Sequence, residues 1–135
     1  MSHKVVAHFS DGRMIKGTSV DVAPGKPTCH IHTEDAGTIP VALTELKALF
    51  FVKDLNGDSA SAPSQAVGPA DTRLRGTKRV DVRFHDGEEM PGLVNRYPPP
   101  RPFFFLLPAN PGSNNIRILV NRAAVVSMSS PDFTG

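Results

Sequence analysis

Lys4-Val-Val-Ala-His-Phe-Ser-Asp-Gly-Arg-Met-Ile-Lys-Gly17 and Arg79-Val-Asp-Val-Arg-Phe-His-Asp-Gly-Glu-Glu-Met-Pro-Gly92 decide the fold when one is laid over the other. Val5 meets Val80, Phe9 meets Phe84, Asp11-Gly12 meets Asp86-Gly87, and Gly17 meets Gly92. The same offset pairs Pro24 with Pro99, Lys26-Pro27 with Arg101-Pro102, and Ile31 with Leu106. After a small insertion, Val41, Leu43 and Leu46 fall on Ile118, Val120 and Ala123. Turn residues, prolines and apolar positions thus recur in one register, which is the mark of an internal repeat.

Within each stretch Val5, Ala7 and Phe9 alternate with Lys4, Val6 and His8, the period-two pattern of a half-buried strand. Asp-Gly then signals a hairpin, because both residues tolerate the positive φ of a primed turn. Gly17, inside the returning strand, marks a bend or bulge. The pattern predicts strands over 4–9, 13–22, 28–33, 38–43 and 47–53, with one helical turn over 44–46. In the second half it predicts strands over 79–84, 88–95, 103–107, 115–120 and 124–128. The expected fold class is therefore all-β, with two tandem five-stranded small barrels of the Sm-like or SH3-like type. Repeat 1 covers 1–54 and repeat 2 covers 78–130. A linker over 55–77, rich in Ala, Ser, Gly and Pro, joins them.

The chain of 135 residues carries a formal net charge of +2, too slight for a general nucleic-acid binder, and no DNA contact is expected. Its 13 prolines and 11 glycines imply frequent turns rather than long helices. No apolar run is long enough to span a bilayer, so no membrane partner is expected. Cys29 is the single cysteine, and Met1-Ser2-His3-Lys4 carries no secretory pattern; both fit a cytoplasmic protein.

The elements F-x-D-G-x-x-x-x-G, P-x-K/R-P-x-F and apolar-x-V-x-x-A-A-V are matched at Phe84–Gly92, Pro99–Phe104 and Val120–Val125, with Ser113-Asn114-Asn115 between them. Weaker counterparts occupy Phe9–Gly17 and Pro24–Pro27. Together they resemble an uncharacterised bacterial family of tandem small barrels, for which PilZ-like comparisons exist. The resemblance implies the fold and a bacterial source, and brings no catalytic residue and no cofactor. PilZ domains that bind cyclic di-GMP carry an R-x-x-x-R arm before the first strand, a spacing met by Arg75 and Arg79. Their second motif, D/N-x-S-x-x-G, lacks its serine in Asp86–Gly92.

Asp11 and Asp86 read as turn formers rather than as a catalytic pair. His30 and His32 share one strand face, Cys29 points the opposite way, and His8 could approach from the first strand; no metal site is expected of them. Tyr97-Pro-Pro-Pro-Arg-Pro102 reads as a stiff loop. Phe103-Phe-Phe-Leu-Leu107 and Leu49-Phe-Phe-Val52 leave their strands no polar face, so Phe50, Phe51, Phe103, Phe104 and Phe105 are expected at an interface between units or between chains. A protein partner or a homodimer follows from that expectation.

No nucleophile–base arrangement and no phosphate loop can be assembled, and the chain reads as no enzyme. The leading functional expectation is a non-catalytic binding or scaffolding module. The alternative is a nucleotide-binding regulator, for cyclic di-GMP or RNA. In it Arg73, Arg75, Lys78, Arg79 and Arg101 would clamp phosphates, with Arg83 or Arg96 assisting.

Overall fold

Both Asp-Gly pairs reverse the chain, and they do so in the same way. In the computed structural model, which describes residues 2–55, 76–99, 101–109 and 114–130, Gly12 and Gly87 have φ of 96° and 90°. Among the described residues no non-glycine residue has positive φ, so the two-residue primed turn expected from sequence is not formed. Instead Gly12 N–H donates to Phe9 O at 3.0 Å and Phe9 N–H to Arg13 O at 2.9 Å. That pattern is a three-residue loop with glycine in the left-handed bulge position. Gly87 to Phe84 and Phe84 to Glu88 repeat it, each at 2.9 Å.

The strands are β1 (His3–Phe9), β2 (Met14–Ser19), β3 (Thr28–Thr33), β4 (Gly37–Ala42) and β5 (Leu46–Val52), with a 3-10 turn at Leu43–Glu45 before β5. Then come β6 (Lys78–Phe84), β7 (Glu89–Val94), β8 (Phe103–Pro108), β9 (Asn115–Asn121) and β10 (Val125–Ser129), with a 3-10 turn at Arg122–Ala124 before β10. The chain is all-β. Among the described residues no helix is long and apolar enough to cross a membrane. Most of the expected linker over 55–77 lies outside the described residues.

All ten strands join one antiparallel sheet in the order β10-β6-β7-β8-β9-β5-β1-β2-β3-β4, and the sheet does not close. The expectation of two separate barrels takes this other form because β5 pairs with β9, with Leu49 opposite Leu119 and Phe50 opposite Ile118. Asn114 lengthens that seam: its O accepts from Lys53 N–H at 2.8 Å and its side chain bonds both ways to the Asp54 backbone.

The registers of the two halves correspond strand by strand. Val5 opposite Gly17 matches Val80 opposite Gly92, and Ala7 opposite Leu49 matches Val82 opposite Met128. Each half also has a ladder irregularity where its fifth strand meets the end of its first. One correction applies to the sequence alignment. Ile31 faces Ile39 as Leu106 faces Ile118, so Ile39 and Val41 correspond to Ile118 and Val120, two residues off the alignment by apolar spacing. The slip arose because the apolar alternation has period two and reads equally well after such a shift.

At Gly17 and Gly92 the backbones of β3 and β8 come close over β2 and β7. A Cβ on Gly17 would collide with the His32 carbonyl, and one on Gly92 with the Leu107 carbonyl. Backbone can pass that close only over glycine.

Two cores result. One gathers Val5, Ala7, Ile31, Val41, Leu43 and Leu49 with Cys29. Burial pushes the Cys29 thiol up to about 11. The other gathers Val80, Val82, Phe84, Met90, Leu106 and Ile118. Each borrows from the opposite half: Val6, Ala48 and Phe50 complete the second core, while Leu119, Phe103 and Phe105 join the first. Strands β5 and β9 are thus apolar on both faces because each face belongs to a different core.

Candidate functional site

The segment between β7 and β8 is short, proline-rich and tied down. Tyr97 Oη donates to Met128 O at 3.2 Å, Arg122 Nη1 to Pro99 O at 2.6 Å, and Arg122 N–H to Pro102 O at 2.8 Å. Proline supplies no backbone donor of its own, so side-chain and 3-10-turn donors from the end of the second half hold the loop instead. The Tyr97–Pro98 peptide is cis. This anchored loop carries Arg96 and Arg101, both exposed.

Beneath them lies a cleft of about 320 Å3 lined by Phe103, Phe104 and Phe105 of β8, by Val94, Asn95 and Pro99, and by Pro24 from the first half. Among the described residues no carboxylate lines it. The two guanidinium groups have no ion-pair partner among the described residues, whereas Arg13 pairs with Asp11 and Arg83 with Glu89. A third arginine, Arg117 of β9, lies 4.4 Å from the Phe51 ring centre and 4.6 Å from that of Phe105. Those two rings meet edge to face at 6.0 Å. Cationic planes and aromatic faces therefore alternate along one surface of the seam.

A second cleft, also about 320 Å3, opens where Ser10 and Thr44 of the first half face His85 and Asn121 of the second. Its charge is already spent. Lys47 Nζ donates to Asp86 Oδ2 at 2.6 Å and to Glu88, and sits 4.8 Å over the Phe84 ring. Burial would depress the Lys47 ammonium, but the two carboxylates outweigh it and leave it raised. The ammonium in turn holds the Asp86 carboxyl low, helped by the Glu88 N–H. Asn121 Nδ2 donates to Leu46 O at 2.8 Å and closes the floor. This is a latch between the halves.

The sequence-derived candidates disperse. Arg73 and Arg75 lie outside the described residues, as does Ser113. Lys78 is exposed at the start of β6, Arg79 is half-buried beside it opposite Leu93, and Arg101 lines the first cleft. Phe50 and Phe104 are buried in the second core; Phe51 belongs to the first core, with half-buried Phe103 and Phe105 packed against it.

The three histidines do not converge. His30 and His32 face solvent, tied to Asp21 at 2.7 Å and Thr38 at 2.6 Å. The backbone N–H and ring of His30 hold the Asp21 carboxyl down at about 2. His8 packs its ring on Phe50 at 4.4 Å, and its pKa is lowered by burial and by Lys47. No group of three metal-ligating side chains forms among the described residues.

Sequence reasoning had named Arg96 only as an auxiliary and had passed over Asn95, Arg117 and Lys47. The available signal was the pairing of Arg96 and Arg101 at the two ends of a proline-stiffened loop.

The profile of one protein family matches residues 1–130. The chain belongs to DUF6982, a family of unknown function. No curated protein and no solved structure matches it. In this DUF6982 member the anchored loop carries two exposed arginines that form no ion pair among the described residues.

Proposed function

We propose that this chain is a non-catalytic binding module that holds an anionic ligand at the Arg96–Arg101 cleft. The observation that carries the reading is two arginines, unpaired among the described residues, on a loop fixed at three points above a phenylalanine floor. The anchored backbone sets where the two side chains start, and the planar guanidinium fork loses less freedom per hydrogen bond formed when an oxyanion docks. Among the described residues the cleft lining supplies no nucleophile, acid or base, and the carboxylates of Asp11, Asp86, Glu88 and Glu89 serve turns or ion pairs.

The matching registers and bend glycines support a finer structural reading. In it each five-stranded half is a small barrel-type unit of the Sm-like kind, and the two descend from one duplicated module that serves as a rigid scaffold for the cleft.

The test is an amide-resolved NMR titration with pyrophosphate at low and high salt. Shifts confined to residues 95–105, weakened by salt and lost in an Arg96→Ala/Arg101→Ala double variant, are expected. Shifts spread evenly over the surface, or none, overturn the reading.

A further inference from the structure

We infer that the ligand of the Arg96–Arg101 cleft is a mononucleotide-sized phosphate ester with a flat heterocyclic base; this rests on the anion-binding reading above. A bare oxyanion is too small. The cleft measures about 320 Å3, while a water molecule takes about 30 Å3 of liquid volume. A phosphate gripped by both guanidinium groups would leave most of that space unfilled and its phenylalanine wall bare. A polymer is too large for a concavity at the lower end of the roughly 300–1,000 Å3 range of small-molecule sites.

The wall also has the right chemistry. Phe103 and Phe105 are half-buried and line the cleft, Phe105 with the Arg117 guanidinium already over its ring, and aromatic faces stack on any base with no sequence demand. Asn95 is exposed on the rim, and its amide offers both a donor and an acceptor to a base edge. Arg96 and Arg101 take the phosphate by charge-assisted, forked hydrogen bonds. Among the described residues the cleft lining carries neither a carboxylate to repel the phosphate nor a nucleophile to attack it, so the nucleotide is bound and not turned over.

Calorimetry on the full chain with AMP, GMP, adenosine, ribose 5-phosphate, inorganic phosphate and a short single-stranded RNA tests this. The mononucleotides are expected to bind roughly tenfold tighter than ribose 5-phosphate, which lacks the stacking base, and roughly tenfold tighter than adenosine, which lacks the phosphate that the arginines grip. Arg96→Ala and Arg101→Ala, both at exposed positions, are expected to weaken AMP about tenfold each while leaving the melting temperature unchanged. Equal affinity for AMP and ribose 5-phosphate overturns the inference and leaves the anion-binding reading standing. Binding of the RNA alone also overturns it. Silence from all six ligands overturns both.

Discussion

The seam between β5 and β9 and the free edges at β10 and β4 use corresponding strands of the two halves to opposite ends. Where β5 sends Ala48 and Phe50 into the second core, the corresponding residues of β10 are Ser127 and Ser129, both exposed. Where Lys47 latches onto Asp86 and Glu88, β10 has Val126, and the turn of the first half keeps its own pair, Asp11 with Arg13. Where β9 pairs through Leu119, β4 has Pro40. The His30 N–H is taken by Asp21, so His30 and Pro40 form a non-hydrogen-bonded pair, and the proline nitrogen faces the open side. One donor of the edge is thereby deleted, a common way to blunt an exposed strand. Pairing is thus decided by side-chain chemistry at a handful of positions. The backbone geometry is common to both ends.

Substitutions at corresponding positions break or sharpen this contrast. Phe50→Ala removes a ring buried in the second core and is expected to cost about 3–5 kcal/mol, read from the urea midpoint. Ser129→Ala, its counterpart on β10, is expected to stay within about 0.5 kcal/mol; equal losses at the two sites dissolve the distinction. Lys47→Met keeps the apolar stem and removes the ammonium. Because Asp86 and Glu88 are partly exposed, the expected loss is about 1 kcal/mol, shrinking further for the wild type in high salt.

Acid attacks the seam through His8. Burial and Lys47 lower its pKa in the folded chain below the ordinary 6.5, so the unfolded chain binds the proton more readily. The contribution of neutral His8 is therefore complete above about 6.5 and is lost as pH falls through its folded value. His8→Gln is expected to flatten this limb of a stability–pH curve; an unchanged limb assigns the acid loss to other groups. The smallest effect belongs to Pro40→Thr, which restores the missing edge donor. Weak, concentration-dependent self-association in sedimentation velocity is the expected result, and a strictly monomeric variant removes Pro40 as the stop.

Much of the fold was legible because its determinants are local. Asp-Gly pairs announced the hairpins, and the alternation of Val5, Ala7 and Phe9 the buried face. What could not be read is the pairing of β5 with β9, since a hydrogen-bond ladder between distant strands leaves no local mark. The doubly apolar strands around Phe50 and Phe104 pointed to a covered second face without naming the cover. The proposed cleft was only partly legible, through Arg101, for a related reason. Arg73, Arg75 and Arg79 cluster in sequence, whereas Arg96 and Arg101 become a pair only once the loop between them is pinned by Arg122 and Tyr97.

Cys29 gives the first core a property that the second lacks. Its thiol is fully enclosed, and with a pKa near 11 almost none of it is thiolate at neutral pH, so alkylating reagents cannot attack it in the closed state. Every labelling event in native buffer must then report an opening of residues 3–52. The lone sulfur serves as a built-in clock for the breathing of one half, set against a neighbour that has no such timer.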